Sequence, residues 1–257
     1  MKTEGSTAII TGSSTGIGRA IAVEFGRAGA NVVCVARRAE KLKETAHMVE
    51  EAGGAALTVP ADITRPDHAE RMVQQALQRF GRVDVLFNNA GSFASIAGVW
   101  EAEPETWWHD VTVNLYGAFL CARAVLPHMM KRNEGIIINM DGGRPTGGTG
   151  YACGKAGLME LSKVLIMELK AVGSNVIVLN AGPGLVRTEM TELQATSEAG
   201  RRWIPSTRET FDAGGARKPE DIARATVKMV RLATPELAGF YFSPGTDFSA
   251  LPKQQKA

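Results

Sequence analysis

Ser6-Thr7-Ala8-Ile9-Ile10-Thr11-Gly12-Ser13-Ser14-Thr15-Gly16-Ile17-Gly18 is the stretch whose reading decides the fold. After Ser6, the run Thr7–Thr11 is β-branched or apolar and of strand length, and a helical pattern follows from Arg19 to Ala28. Strand, glycine turn and helix, in that order, make a dinucleotide-binding unit. The glycines let the backbone turn sharply and come close to a pyrophosphate, whose charge is stabilised by the free N–H groups and positive end of the helix. The spacing is G-x-x-x-G-x-G rather than the commoner G-x-G-x-x-G, and its place between strand and helix makes it specific. Gly12, Ser14, Thr15, Gly16, Ile17 and Gly18 are therefore expected to hold a cofactor.

Outward from this turn the same alternation repeats. Asn31–Ala36 reads as a second strand, and the residues just past it lie where the adenosine ribose of a dinucleotide rests. An acidic residue there would bind a 2′-hydroxyl. Arg37 and Arg38 stand there instead, and their guanidinium groups suit a 2′-phosphate through charge-assisted contacts. NADP(H) is expected over NAD(H), with NAD(H) still possible. Further strands are expected at 55–60, 83–87, 135–139, 175–179 and 238–242, and helices at 39–52, 66–80 and 104–130. The fourth strand ends in Asn88-Asn89-Ala90-Gly91, at the carboxyl edge where open α/β sheets bind ligands. Asn114 sits in the apolar part of the long helix, a costly place for an amide without hydrogen bonds. Residues 189–218 are the least regular, and Trp203, Ile204 and Phe211 suggest a lid favouring apolar or cyclic molecules.

Tyr151-Ala152-Cys153-Gly154-Lys155 is the candidate for chemistry. Residues four apart share a helix face, so an ammonium can sit beneath the phenol. Such a cation is expected to move the tyrosine down from its usual pKa of about 10 toward neutrality, where proton exchange with an oxygen is efficient.

Composition excludes several other roles. The chain of 257 residues suits one α/β domain, here 1–257, and its net charge of +2 comes from scattered Lys and Arg without a basic stripe. No nucleic-acid partner is expected. Absence of a membrane-length apolar run and of a signal-like start makes a cytoplasmic protein without membrane contact the expectation. Cys34, Cys121 and Cys153 lie far apart without metal-ligand spacing, so no metal is expected and the thiols should be reduced. Cys153 is expected to be a small buried residue at a helix interface.

Together, Thr11-Gly12-x-x-x-Gly16-x-Gly18, Asn88-Asn89-Ala90-Gly91, Asn114, Tyr151-x-x-x-Lys155 and Pro183-Gly184 resemble the short-chain dehydrogenase/reductase family in order and spacing, from about Thr7 to Asp247. The resemblance implies a doubly wound α/β Rossmann fold, with a seven-stranded parallel sheet in order 3-2-1-4-5-6-7 and helices on both faces. It implies that Tyr151 is the general acid/base, that Lys155 lowers its pKa and binds the nicotinamide ribose, and that Asn114 holds a proton-relay water. Asp62 and Ile63 would lie beside adenine, Asn89, Ala90 and Gly91 along the cofactor, and Pro183, Gly184, Val186 and Thr188 toward the nicotinamide. A small carbonyl or alcohol substrate is implied, as are homotetramers or homodimers packed through two long helices. One departure matters: the family usually ends its fifth strand with Asn-x-Ser-Ser, and this chain has Asn139-Met140-Asp141-Gly142. Gly142 stands at the usual serine position, leaving Asp141, Thr146, Thr149 or a water as the candidates to replace it. The departure keeps two other readings open: a nucleotide-binding protein without turnover, and a non-redox dehydratase or isomerase.

Overall fold

The computed structural model describes residues 1–251, so the loose tail expected from Pro252 lies outside the described residues. Short apolar runs with β-branched side chains form the strands, and those at the centre of the sheet are buried on both faces, which is the pattern of a parallel sheet covered by helices. The strands are β1 (Thr7–Thr11), β2 (Asn31–Ala36), β3 (Ala55–Pro60), β4 (Val85–Asn88), β5 (Ile136–Met140), β6 (Ile177–Ala181) and β7 (Tyr241–Phe242). All pair in parallel, in the order β3-β2-β1-β4-β5-β6-β7. Alternate strand residues feed two cores. On one face Ile10, Val32 and Phe87 meet α1 (Gly16–Arg27), α2 (Ala39–Glu51) and α10 (Pro219–Leu232). On the other, Ile9, Val33 and Leu86 meet α3 (Pro66–Phe80), α5 (Ala118–Arg132) and α6 (Thr149–Ala171).

One buried charge pins the amino-terminal edge of the sheet. Asp84 has no exposed side chain and accepts from the backbone N–H of Thr7 at 2.8 Å, from Arg82 at 2.7 Å through both oxygens, and from Arg132 at 2.6 Å. At the opposite edge, Asn88, Asn139 and Asn180 face one another across β4, β5 and β6. Asn88 donates to Asn139, which donates to Ser162 of α6 at 2.8 Å.

The expected long helix is interrupted. α4 (Pro104–Val111) passes into a π-helical segment, Thr112–Gly117, and then into α5. Asn114 lies in that segment, its amide donating to the Asp110 carbonyl at 2.7 Å and the Ser92 carbonyl at 2.6 Å. Residues 189–218 also differ from expectation, because most of them are helical. α7 (Glu189–Thr196), α8 (Glu198–Trp203) and α9 (Pro205–Asp212) are short, each started by its own signal: Thr188 caps with Thr191, Ser197 accepts from the Gly200 N–H, and Pro205 opens α9. The last strand is shorter than expected, because Pro235–Leu237 forms a 3₁₀ turn ahead of it.

Candidate active site and cofactor cleft

A cleft of about 1070 Å³ runs along the carboxyl ends of the strands. Its first half is built around the β1–α1 turn. Gly12 has φ +66°, a left-handed conformation that a side chain would strain, and a Cβ on Gly18 would fall 2.4 Å from the Gly12 carbonyl oxygen. Asn89 ties β4 to this turn, donating to the Thr11 and Gly12 carbonyls at 2.8 and 3.3 Å, while Thr11 Oγ1 accepts from the N–H groups of Asn89 and Ala90. Thr15, at the N-cap of α1, makes no side-chain cap, and the first turn carries no acidic residue. The N–H groups at the helix start are thus left to an anion in the cleft. Arg38 reaches Ser14 Oγ at 3.2 Å, Thr15 Oγ1 at 2.9 Å and Glu189 at 3.0 Å, whereas Arg37 has no hydrogen bond or ion pair among the described residues. This cradle fits a dinucleotide phosphate chain. Asp62 turns its carboxylate onto the N–H and hydroxyl of Thr64, contacts which, with the charge of Arg37, outweigh burial and hold its pKa below the usual range.

The second half contains the tyrosine and lysine, one turn apart on α6. Tyr151 stacks on Phe93, ring centroids 4.7 Å apart, and its hydroxyl presses against Gly142, where a Cβ would stand 1.8 Å from it. Lys155 is buried, donates to the Met140 carbonyl at 2.7 Å, and lies 5.7 Å from the tyrosine ring centroid. Burial lowers its pKa to about 8, against the attraction of Asp141. The expectation for the phenol fails here. Burial first, and then the negative charge of Asp141, push Tyr151 above its ordinary value, and the ammonium held on the Met140 carbonyl does not reverse this.

A family model described as short chain dehydrogenase matches residues 6–199. The chain belongs to that family. A short chain dehydrogenase of Pseudocercospora fijiensis is 38% identical over 194 residues, 73% of this chain and 62% of that one, so the match spans less than two thirds of that relative. The (2S)-[(R)-hydroxy(phenyl)methyl]succinyl-CoA dehydrogenase subunit BbsD of Thauera aromatica is 36% identical, covering 87% of this chain and 88% of its own. Among solved structures, a metagenomic short-chain oxidoreductase in complex with NADP superposes with a TM-score of 0.76 at 29% identity, over 96% of this chain and all of that one. A short chain dehydrogenase/reductase from Burkholderia phymatum in complex with NAD gives 0.82 at 25% identity, over 95% and 90%. The relatives' structures thus include both nicotinamide dinucleotides.

In this short chain dehydrogenase, all the residues singled out for the cofactor line the one cleft, from Gly12 to Gly18, through Arg37, Arg38, Asp62, Ile63 and Asn89 to Gly91, to Pro183, Gly184, Val186 and Thr188. Tyr151 and Lys155 line it too. Asn114 does not; it lies behind Gly91, with Oδ1 2.9 Å from where a Cβ there would be. Trp203 packs on Trp100 and Gly147 and Phe211 lies under Arg187, so of the expected lid residues only Ile204 reaches the cleft wall. Cys153 is exposed, not buried, because it faces away from the α4 side that Gly154 packs against. Thr149 accepts from the Trp107 indole, Thr146 points to solvent, and neither lines the cleft where the serine would stand. Sequence reading missed Asp110, which is fully buried and holds the 92–95 loop through Ser92 Oγ and the N–H groups of Ala94 and Ser95. It missed Arg144 and Tyr241 on the cleft wall as well. No metal-binding cluster and no helix long and apolar enough to cross a membrane occur among the described residues.

Proposed function

We propose that this short chain dehydrogenase is an NADP(H)-dependent oxidoreductase interconverting a ketone and a secondary alcohol. The observation that carries the reading is the opening of the Tyr151–Lys155 pair into the same cleft as the uncapped start of α1 and the two arginines after β2. A nicotinamide bound there supplies or accepts the hydride. Tyr151 exchanges the proton at its hydroxyl, which in the present geometry stays protonated through the neutral range and is set to donate to a carbonyl oxygen. Lys155 orients the ribose end of the cofactor from its anchor on Met140, and Asn114 positions the loop from Gly91 to Ser92. Arg37, with its guanidinium uncommitted, and Arg38 favour the 2′-phosphate of NADP(H).

The reactive end of the cleft mixes Phe93 and Ile204 with Gln194, Thr207 and Tyr241, which supports a neutral substrate bearing hydrogen-bonding groups over a purely apolar one. We read the chain as one domain whose lid is α7 to α9. Exposed Tyr116, Phe119, Val164 and Met167 on the two long helices support a homodimer or homotetramer. The test follows NADPH and NADH oxidation across ketones, quinones and cyclic diketones. Tyrosine-dependent turnover favouring NADPH, abolished in Tyr151→Phe with NADPH binding intact, is the expected outcome. Full activity in Tyr151→Phe, or binding without turnover on every compound, overturns the reading.

A further inference from the structure

The loop after β5 sets a charged pair beside the phenol. Arg144 donates Nη1 to the Gly142 carbonyl, and its Nη2 lies 2.9 Å from Asp141 Oδ1. That contact is an ion pair without hydrogen-bond geometry, since Asp141 Oδ1 is buried and has no hydrogen-bond partner. Both residues line the cleft, and Gly142 between them is the residue against which the Tyr151 hydroxyl is pressed. The guanidinium therefore borders the same part of the cleft as the phenol. Both charges act on Tyr151 and Lys155 in opposite directions, Asp141 raising and Arg144 lowering each group.

Reduction of a ketone makes this position consequential. As hydride forms the new C–H bond, the carbonyl π pair moves onto oxygen, and that oxygen takes its proton from Tyr151. Its second lone pair needs a donor while charge develops. On the loop from Asp141 to Gly150, Gly142 has no side chain, and neither Thr146, which faces solvent, nor Thr149, which accepts from the Trp107 indole, lines the cleft. Nearby, the Ser92 hydroxyl is given to Asp110. Arg144 commits one N–H group to a hydrogen bond, with the Gly142 carbonyl, and retains others, because a guanidinium carries five.

We propose that Arg144, steadied by Asp141, donates the second hydrogen bond to the substrate oxygen, and that the neutral pair selects an uncharged ketone over a keto acid. The proposal rests on the oxidoreductase reading. Arg144→Ala is expected to lower kcat by about a hundredfold to a thousandfold, the usual cost of one such donor, with a smaller change in KM. Arg144→Lys should recover part of the loss, as should added guanidinium ion with Arg144→Ala. One readout does not depend on turnover. The Lys155 titration, followed by NMR of its side chain in protein without cofactor, should move up in Arg144→Ala and down in Asp141→Asn. Asp141→Asn, with the arginine charge unmasked, should also raise kcat/KM for an α-keto acid relative to the matching ketone. Wild-type kcat retained in Arg144→Ala, or a Lys155 titration that neither variant moves, overturns the role of Arg144. A wild type that binds NADPH and reduces no ketone overturns the oxidoreductase reading and this role with it.

Discussion

Lys155 shows how far one residue's environment can outrun its spacing. An i, i+4 pair on a helix is legible because helical geometry alone brings the two side chains to one face. The direction of the phenol's shift is not legible, because it depends on burial and on Asp141, which the fold brings in from a different element. The lysine also leaves a signature in stability. Its folded pKa of about 8 lies below the ordinary lysine value of 10.5, so between these pH values the unfolded chain binds the proton and the native chain does not. Stability at this site therefore rises with pH across that window and is lowest below it. Lys155→Met is expected to stabilise the cofactor-free protein at pH 7 by up to about 3 kcal/mol, with the advantage shrinking toward pH 10. Thermal melts of both proteins across that range are the check, and equal melting temperatures at pH 7 would count against a buried ammonium. Arg144 was out of reach of sequence reasoning for a related reason, since nothing in the spacing of a glycine-rich loop says which side chain folds back onto the cleft.

Among elements, α7 is the one that joins the two banks of the cleft. Its first residue, Glu189, pairs with Arg38 at the N-cap of α2, 151 positions away in the chain. Both side chains are about half exposed, so the pair is worth no more than about 1 kcal/mol. It nonetheless takes one side of the guanidinium fork that a 2′-phosphate would use. Glu189→Gln is expected to tighten NADPH binding up to about fivefold and to leave NADH nearly unchanged, as measured by cofactor fluorescence titration. Equal effects on both cofactors would separate Arg38 from phosphate recognition. The helices of this region begin at Thr188, Ser197 and Pro205 in the structure, and each is too short to show a sustained apolar period in the sequence. The π-helical turn had no spacing signal at all. Its one trace in the sequence was an asparagine among apolar residues, and the structure shows that amide tying the turn to the loop after Gly91.

For the molecule as a whole, alternation of strand and helix was enough to call for a parallel sheet, and the strand order implied by the family resemblance is the order the hydrogen bonds follow. What alternation could not reveal is the charge that holds the far edge together. Burial, the largest single influence on Asp84, raises its pKa, but the bonds from Arg82, the Thr7 N–H and Arg132 together outweigh it, so the folded pKa is lowered. A lowered carboxylate stabilises the fold above its unfolded pKa of about 4 and loses that contribution as pH falls through the folded value. Asp84→Asn is expected to cost about 3–5 kcal/mol at pH 7, by stranding a cluster built around a buried anion, and to flatten the acid limb of the stability profile. Denaturant unfolding of both proteins at pH 7 and at a series of values below pH 4 is the measurement, and a loss that stays the same down that series would refute the assignment. At the other edge, the hydroxyl of Tyr151 fills the space that a side chain at 142 would need. A serine placed there by a single codon change would have to push aside the hydroxyl on which the proposed proton exchange depends, so such a side chain can arrive only together with a second change that makes room for it.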